Sequence, residues 1–271
     1  MRFFNAFRMT YDKTMIIGNK KFENYTYIMA VINLTPDSFF APSRKNEYTV
    51  LKAVERAVKD GASVIDLGAQ STRPDYAEIS ADEEMARLLP SLEAVKKNFD
   101  IPVSVDTYFS RCAKEALDAG ADMINDVRGL THDSDIAKVI ALHNASVCIM
   151  HNSDTPLSGD IFTQITSFLK ERVGYALNCG IEKDKILVDG GIGFAKSREQ
   201  NFELLNGYER LDFGYPLLIG TSRKSMFGGK PEDRLEATVE STRVASRKKV
   251  LFVRVHDVKE NARAIEEIYG N

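Results

Sequence analysis

Strands that alternate with helices along the whole chain predict a single (β/α)8 barrel, the TIM-barrel class of α/β fold, preceded by a short N-terminal β-hairpin. Three observations carry this. A short apolar, β-branched run followed by a helical stretch recurs at roughly 30-residue spacing, about eight times, which implies parallel pairing through right-handed crossovers. Each run stops at a polar residue, at the strand end where such barrels keep their chemistry. And 271 residues suit one such barrel, with no linker, charge block or low-complexity stretch to mark a second domain. The barrel domain is therefore expected over residues 15–271, after a loosely held extension of residues 1–14.

The elements follow in order. Met15 to Phe22 reads as the hairpin, turning at Gly18-Asn19. The first barrel strand is Ile28 to Asn33, which breaks into Thr35-Pro36-Asp37-Ser38. There Pro36 fixes its own φ and pushes Thr35 out of the helical region. Glu47 to Asp60 has helical apolar spacing and ends at Gly61. Ser63 to Gly68 is the second strand, followed by the loop Gln70 to Pro74 and a helix from Ala81 to Asn98. The third strand is Ile101 to Val105 with tip Asp106, and its helix ends at Gly120; the fourth is Asp122 to Ile124 with tip Asn125. Ser146 to Ile149 leads to Met150-His151, and Ile186 to Val188 to Asp189. Tyr215 to Ile219 leads to Ser222-Arg223-Lys224, and Val250 to Val253 to Arg254-Val255-His256.

Parity sharpens the picture, because alternate residues of a strand share a face. Val31 goes with Asn33, Ser104 with Asp106, Met123 with Asn125, Leu187 with Asp189, and Phe252 with Arg254 and His256. If those faces point inward, the polar residues form the top layer of the barrel, where a buried charge needs a partner. Asp66 lies inside its strand and reads as a structural acid bonded to neighbouring loops. His151 and Asp37 stay undecided between loop structure and support of the site. His132 and His143 show no partner pattern and read as surface or loop residues.

Bulk properties exclude several classes. A net charge of -3 gives no reason for nucleic-acid or membrane affinity, so any basic site must be local. Cys112, Cys148 and Cys179 are odd in number and widely spaced, which suits reduced thiols and excludes a CxxC metal site. Neither a signal peptide nor a run of about 18 apolar residues is present. A soluble, cytoplasmic protein is expected.

Among the motifs, Asp189-Gly190-Gly191-Ile192-Gly193-Phe194-Ala195-Lys196-Ser197 almost spells a P-loop but has Ala195 where glycine should precede the lysine. Its glycines read better as letting backbone pass close to a flat ligand held by Asp189. Thr221-Ser222-Arg223-Lys224-Ser225 offers hydroxyls and two cations for an anion or a carbonyl oxygen. Arg254 and His256 are aimed the same way by alternation, and together suit a phosphate.

Taken in order, these pieces resemble the dihydropteroate synthases, folate-pathway enzymes and sulfonamide targets. The matching segments begin with Asn33-Leu34-Thr35-Pro36-Asp37-Ser38-Phe39, Ser71-Thr72-Arg73-Pro74, Ser104-Val105-Asp106-Thr107, Ile124-Asn125-Asp126-Val127 and Met150-His151. Gly191-Ile192-Gly193-Phe194, Ser222-Arg223-Lys224-Ser225 and Arg254-Val255-His256-Asp257 complete the set. The resemblance implies condensation of 6-hydroxymethyl-7,8-dihydropterin diphosphate with 4-aminobenzoate, giving dihydropteroate and pyrophosphate. It implies that Asp106, Asn125, Asp189 and Lys224 hold the pterin, and that Thr72, Arg254 and His256 hold the diphosphate. It further implies Mg²⁺ on Asn33, and Ser225 with Arg73 near the aminobenzoate carboxylate, Arg73 alternatively on pyrophosphate. Asp106, Arg254 and His256 would be the catalytic groups, and the assembly a homodimer through outer helices. A carboxylate can accept two parallel hydrogen bonds from an amino-pyrimidine edge, which agrees with this set.

Three positions depart from the family pattern. Gln70 stands for a common glutamate, Gly190 for a proline, and Phe40-Ala41-Pro42-Ser43 for an acidic, glycine-rich stretch. They bear on the shape of the aminobenzoate pocket. Two other readings are a pterin-dependent methyltransferase, for which the two phosphate-suited motifs have no use, and a non-catalytic pterin-binding paralogue.

Overall fold

Strand alternation sorts the apolar residues into two shells, and a closed barrel is what satisfies both. The computed structural model describes residues 13–34, 44–70 and 78–270. Most of the predicted extension, the loop from Thr35 to Ser43, and Ser71-Thr72-Arg73-Pro74 lie outside the described residues. Met15–Ile17 (β1) and Lys20–Phe22 (β2) form the expected antiparallel hairpin, with Gly18 at φ +59° in its turn. The barrel strands are Tyr27–Asn33 (β3), Val64–Gly68 (β4), Val103–Asp106 (β5), Met123–Asp126 (β6), Ser146–Met150 (β7), Ile186–Asp189 (β8), Leu217–Ile219 (β9) and Phe252–Val255 (β10). They pair in parallel in chain order, and β10 closes on β3.

One helix follows each barrel strand: Arg44–Lys59 (α1), Ala81–Asn98 (α2), Ser110–Asp118 (α3), Ile136–Leu142 (α4), Ile161–Asn178 (α5), Arg198–Asn206 (α6), Leu235–Arg247 (α7) and Val258–Tyr269 (α8). Gly61 and Gly120 end the first and third of these at φ +107° and +97°, as their positions predict. Among the described residues no helix is long and apolar enough to cross a membrane.

The outer shell packs Ile65, Val105, Ile149, Val188 and their neighbours against the helices. The inner shell is separate: Met29, Val64, Met123, Cys148, Leu187, Leu218 and Phe252 fill the lower barrel. The hairpin closes the bottom by burying Met15, Ile17 and Phe22 against them. The predicted parity is therefore the observed one. Several strands run one or two residues further than predicted, so Asp106, Asn125, Asp189 and Arg254 lie within ladders rather than beyond them. The ladder persists because the backbone of these polar residues is as good a pairing partner as any other.

Under the site, α2 carries a buried carboxyl. Glu84 is buried and accepts a hydrogen bond from Thr107 Oγ1 at 3.1 Å, just after the end of β5. Burial lifts its pKa to about 7. An acid whose pKa is raised on folding binds more protons folded than unfolded, so its contribution falls as pH rises through that window. Glu84→Gln should remove this dependence: the stability of the variant relative to the parent should rise between pH 5 and pH 8, by up to about 3 kcal/mol. Urea unfolding at the two pH values reads the difference; parallel curves would contradict it.

Candidate active site

Register sets the floor of the barrel mouth. Asn33 pairs with Gly68, Gly68 with Asp106, and Asp106 with Asn125, so four strands contribute one row. Gly68 is a gap in that row; a side chain there would meet Asp106 Cβ at 3.7 Å and Asn33 Oδ1 at 3.9 Å. One step down stands Asp66, fully buried, in register with Val31 and Ser104. Into this gap reaches Arg254. Its Nε donates to Asp66 Oδ2 at 2.7 Å, and its Nη2 to Asp106 Oδ2 at 2.7 Å. Asp66 is thus a structural acid as expected, but it bonds to this guanidinium and not to loops. The reason is closure: β10 pairs with β3, so its arginine need only pass over that strand to meet β4 and β5. Burial lifts the Asp106 pKa to about 7 against the pull of Arg254, and the two carboxylates hold the arginine above its ordinary value despite its own burial.

The far side of the mouth centres on Asp189. Its Oδ1 accepts from Gly191 N–H at 2.7 Å and from the Tyr208 hydroxyl at 2.8 Å. Its Oδ2 takes no hydrogen bond from the described residues. Nor does the amide of Asn125, which is buried two strands away on β6. Lys224 lies above both, donating to Ile192 O and standing 4.6 Å from the centroid of the Phe194 ring. Burial lowers the Lys224 pKa to about 8, and burial raises that of Asp189. Open acceptors and donors on β6, on β8 and after β9, beside an aromatic ring, suit a flat heterocycle. Tyr108, Val127 and Met150 add an apolar cluster with Phe109 and Phe194.

A third corner holds His256. Its Nε2 faces Asn33 Nδ2 at 3.3 Å and its Nδ1 faces Ser222 Oγ at 2.9 Å. An amide nitrogen only donates, so Nε2 is the acceptor and the Nδ1 hydrogen points to the serine. Ser225 is exposed at the rim, in the turn Ser225–Phe227. Thr72 and Arg73 lie outside the described residues. The two cations of the Ser222-Arg223-Lys224 segment part company: Arg223, at φ +54°, forks onto Asp257 at 2.8 and 2.6 Å and leaves only Lys224 in the site. Alternation does not govern side chains once the strand has ended, which is why the motif alone suggested both.

The glycine loop after β8 also differs from expectation. A Cβ on Gly191 would stand 1.9 Å from His151 O, and one on Gly193 2.8 Å from Lys224 Cδ. At these two positions the crowding that demands glycine is already present within the protein itself. Lys196 turns back on this loop, donating to Gly191 O and Phe194 O at 2.9 Å each and meeting His151 Nδ1 at 3.1 Å. That commits His151, which the sequence left undecided, to supporting the loop. Burial drives its pKa down to about 3, so it is the neutral acceptor for the lysine. His132 is exposed and packs its ring on Tyr108 and Phe109, while His143 is paired with Asp118 at 2.9 Å. Tyr208 and Lys196 were not singled out by sequence, because neither sits at a strand tip. Gln70, which bonds the Tyr108 hydroxyl, was noticed only as a departure.

A closed parallel barrel with polar groups gathered at the carboxyl ends of its strands is an enzyme architecture. A family profile described as pterin binding enzyme matches residues 29–256, from the first barrel strand to His256. The chain is 45% identical over 259 residues to a dihydropteroate synthase of Clostridium beijerinckii, covering 92% of this chain and 96% of the relative. It is similar, at TM-score 0.89 and 42% identity, to the solved dihydropteroate synthase of Clostridium difficile in the presence of pteroic acid, with 92% and 97% of the two chains covered. The Xanthomonas albilineans enzyme with 4-aminobenzoic acid gives TM-score 0.89 at 31% identity, covering 96% and 98%. The chain belongs to the pterin-binding enzyme family, among the dihydropteroate synthases, which are transferases of folate biosynthesis.

Arg254→Ala tests the charge cluster apart from any activity. It should cost about 3–5 kcal/mol, because two buried carboxylates lose their cation. The cost should be smaller at pH 5 than at pH 8, since Asp106, already lifted by burial, can then be protonated instead of stranded as a charge. Denaturant unfolding of the variant at both pH values decides it. A cost below 1 kcal/mol at pH 8 would mean that the cluster is solvated.

Proposed function

We propose that the protein condenses 6-hydroxymethyl-7,8-dihydropterin diphosphate with 4-aminobenzoate, giving 7,8-dihydropteroate and pyrophosphate, by a substitution in which the diphosphate leaves early. The observation that carries this is the open Asp189 Oδ2 facing the mouth together with the unpartnered Asn125 amide and the Lys224 ammonium. A carboxylate oxygen accepts from the amino-pyrimidine edge, and an amide and an ammonium serve ring nitrogens and carbonyl. The C. difficile relative was solved in the presence of pteroic acid and the X. albilineans relative with 4-aminobenzoic acid, which supports the same pair of subsites.

In this reading the diphosphate lies toward Arg254 and His256, with Thr72 from the second loop. Arg254 still has a nitrogen, Nη1, that takes no carboxylate of its cluster. Asp106 faces the carbon from which the diphosphate departs and stabilises the positive charge that develops there, an electrostatic contribution that calls for no general base. Ser225 and Arg73 attend the aminobenzoate carboxylate.

Asn33 fits a Mg²⁺ ligand. Its amide nitrogen is engaged by His256, so its oxygen is the donor left over, and Mg²⁺ prefers oxygen ligands shared with substrate phosphates. No group of three His, Cys, Asp or Glu among the described residues could hold the ion alone, so most of its ligands would come with the substrate. When bound, the ion supplies neutralisation of the leaving diphosphate. A homodimer through the outer helices rests on the family resemblance alone. A cytoplasmic location rests on that and on free Cys112, Cys148 and Cys179.

The test is pyrophosphate release from the pterin diphosphate with Mg²⁺, in the presence and absence of 4-aminobenzoate. Release should require the amine, and Asp189→Ala should lower kcat/KM for the pterin about 100-fold or more, the loss of a charge-assisted pair. Tight pterin-diphosphate binding without amine-dependent release would instead identify a non-catalytic paralogue.

A further inference from the structure

Tyr208 lies outside every motif, yet it is the fully buried neighbour of the pterin-facing acid. It opens the short turn Tyr208–Leu211 between α6 and β9. Three groups surround its hydroxyl. Gly190 N–H donates to it at 2.8 Å, and its one proton faces Asp189 Oδ1 at 2.8 Å and Leu218 O at 2.6 Å. With the Gly190 hydrogen on one side of the phenol oxygen, the O–H is confined to the arc containing these two acceptors. An ionised carboxylate is the stronger of the two.

Gly190 belongs to the same device. It is not among the residues of positive φ, so backbone freedom does not explain it. Space does. A Cβ there would stand 2.7 Å from Leu211 Cδ1, 3.2 Å from Tyr208 Cε2 and 3.3 Å from the Tyr208 hydroxyl. A proline would in addition remove the N–H that aims the phenol. The resemblance marks this position as a departure from the family's proline, and the structure gives the departure a partner.

The carboxylate is thereby held from one side only. Gly191 N–H and the Tyr208 hydroxyl both fall on Oδ1, which fixes the plane of the group and leaves Oδ2 to the mouth. Burial pushes the Tyr208 pKa well above its usual value, so the phenol stays a donor at every working pH. Hydrogen bonds to Oδ1 favour the ionised acid against a burial that raises its pKa.

We propose that Tyr208, aimed by the Gly190 N–H, is a positioning residue that orients the Asp189 carboxylate and keeps it an acceptor for the amino-pyrimidine edge of the pterin. This rests on the pterin reading given above and deepens it: in this chain recognition would depend on a tyrosine–glycine pair beneath the acid.

Tyr208→Phe removes one oxygen and keeps the ring. In the full-length protein it should raise KM for the pterin diphosphate about tenfold, as expected for loss of a hydrogen bond to a charged group, and leave kcat within about twofold. The acid limb of kcat/KM for the pterin should move to higher pH, because Asp189 loses a donor to its ionised form. A merely structural tyrosine would lower Tm and move neither KM nor the acid limb, and that result overturns the proposal. Should the phenylalanine variant not fold, 3-fluorotyrosine at position 208, a stronger donor, should shift the acid limb to lower pH; an unmoved limb overturns it equally. If the unsubstituted protein shows no amine-dependent pyrophosphate release, both readings fall. If it does and Tyr208→Phe is indifferent, this one falls alone.

Discussion

The contact on which the mouth depends is the one between Arg254 and the two carboxylates of Asp66 and Asp106. Each member would be untenable alone at such depth, since an unpaired buried charge costs several kcal/mol. Together they place one cation between two anions at the level where the apolar filling ends. The cluster also ties together three strands, β4 at its middle and β5 and β10 near their carboxyl ends. Every other group at the mouth is arranged around this fixed centre: Asn33 and His256 on one side, Asn125, Lys224 and Asp189 on the other.

That centre explains how one barrel can host a cationic and an anionic task together. The arginine's charge is shared by two carboxyl groups, and in the proposed reaction Asp106 is the member that would favour a carbon turning positive as its leaving group departs. In that reaction, positive charge for a diphosphate would come from a metal ion and from Arg73, with neutral His256 contributing a hydrogen bond. Lys224 stands apart, with its charge weakened by burial, which suits a hydrogen-bond donor to a neutral heterocycle better than an anion anchor.

Much of this was legible in the sequence because strands make side chains alternate. Parity alone placed Asp106, Asn125, Asp189 and Arg254 on the interior, and hydrophobic runs placed the shells. What failed to show were contacts made by residues that alternation does not govern. Arg223 follows a strand end and turns away to Asp257; Tyr208 sits in a short turn whose path over β8 no periodicity encodes. The Asp66–Arg254 pair spans 188 positions and appears only once the barrel closes. The glycines of the loop after β8 were recognised as necessary, but the atoms they avoid, His151 O and the Lys224 stem, belong to other strands' loops and could not be named in advance.

The hairpin at the other end has a consequence for traffic. By seating Met15, Ile17 and Phe22 beneath Met29, Val64 and Phe252, it seals the filled end of the barrel, so among the described residues the carboxyl end is the way in. In the proposed reaction, two reactants and two products would then share one doorway. In that reading the reactant seated deeper would arrive first and depart last, an order set by architecture before affinity. A molecule the size of the outer reactant, lodged at the rim, would imprison the inner one.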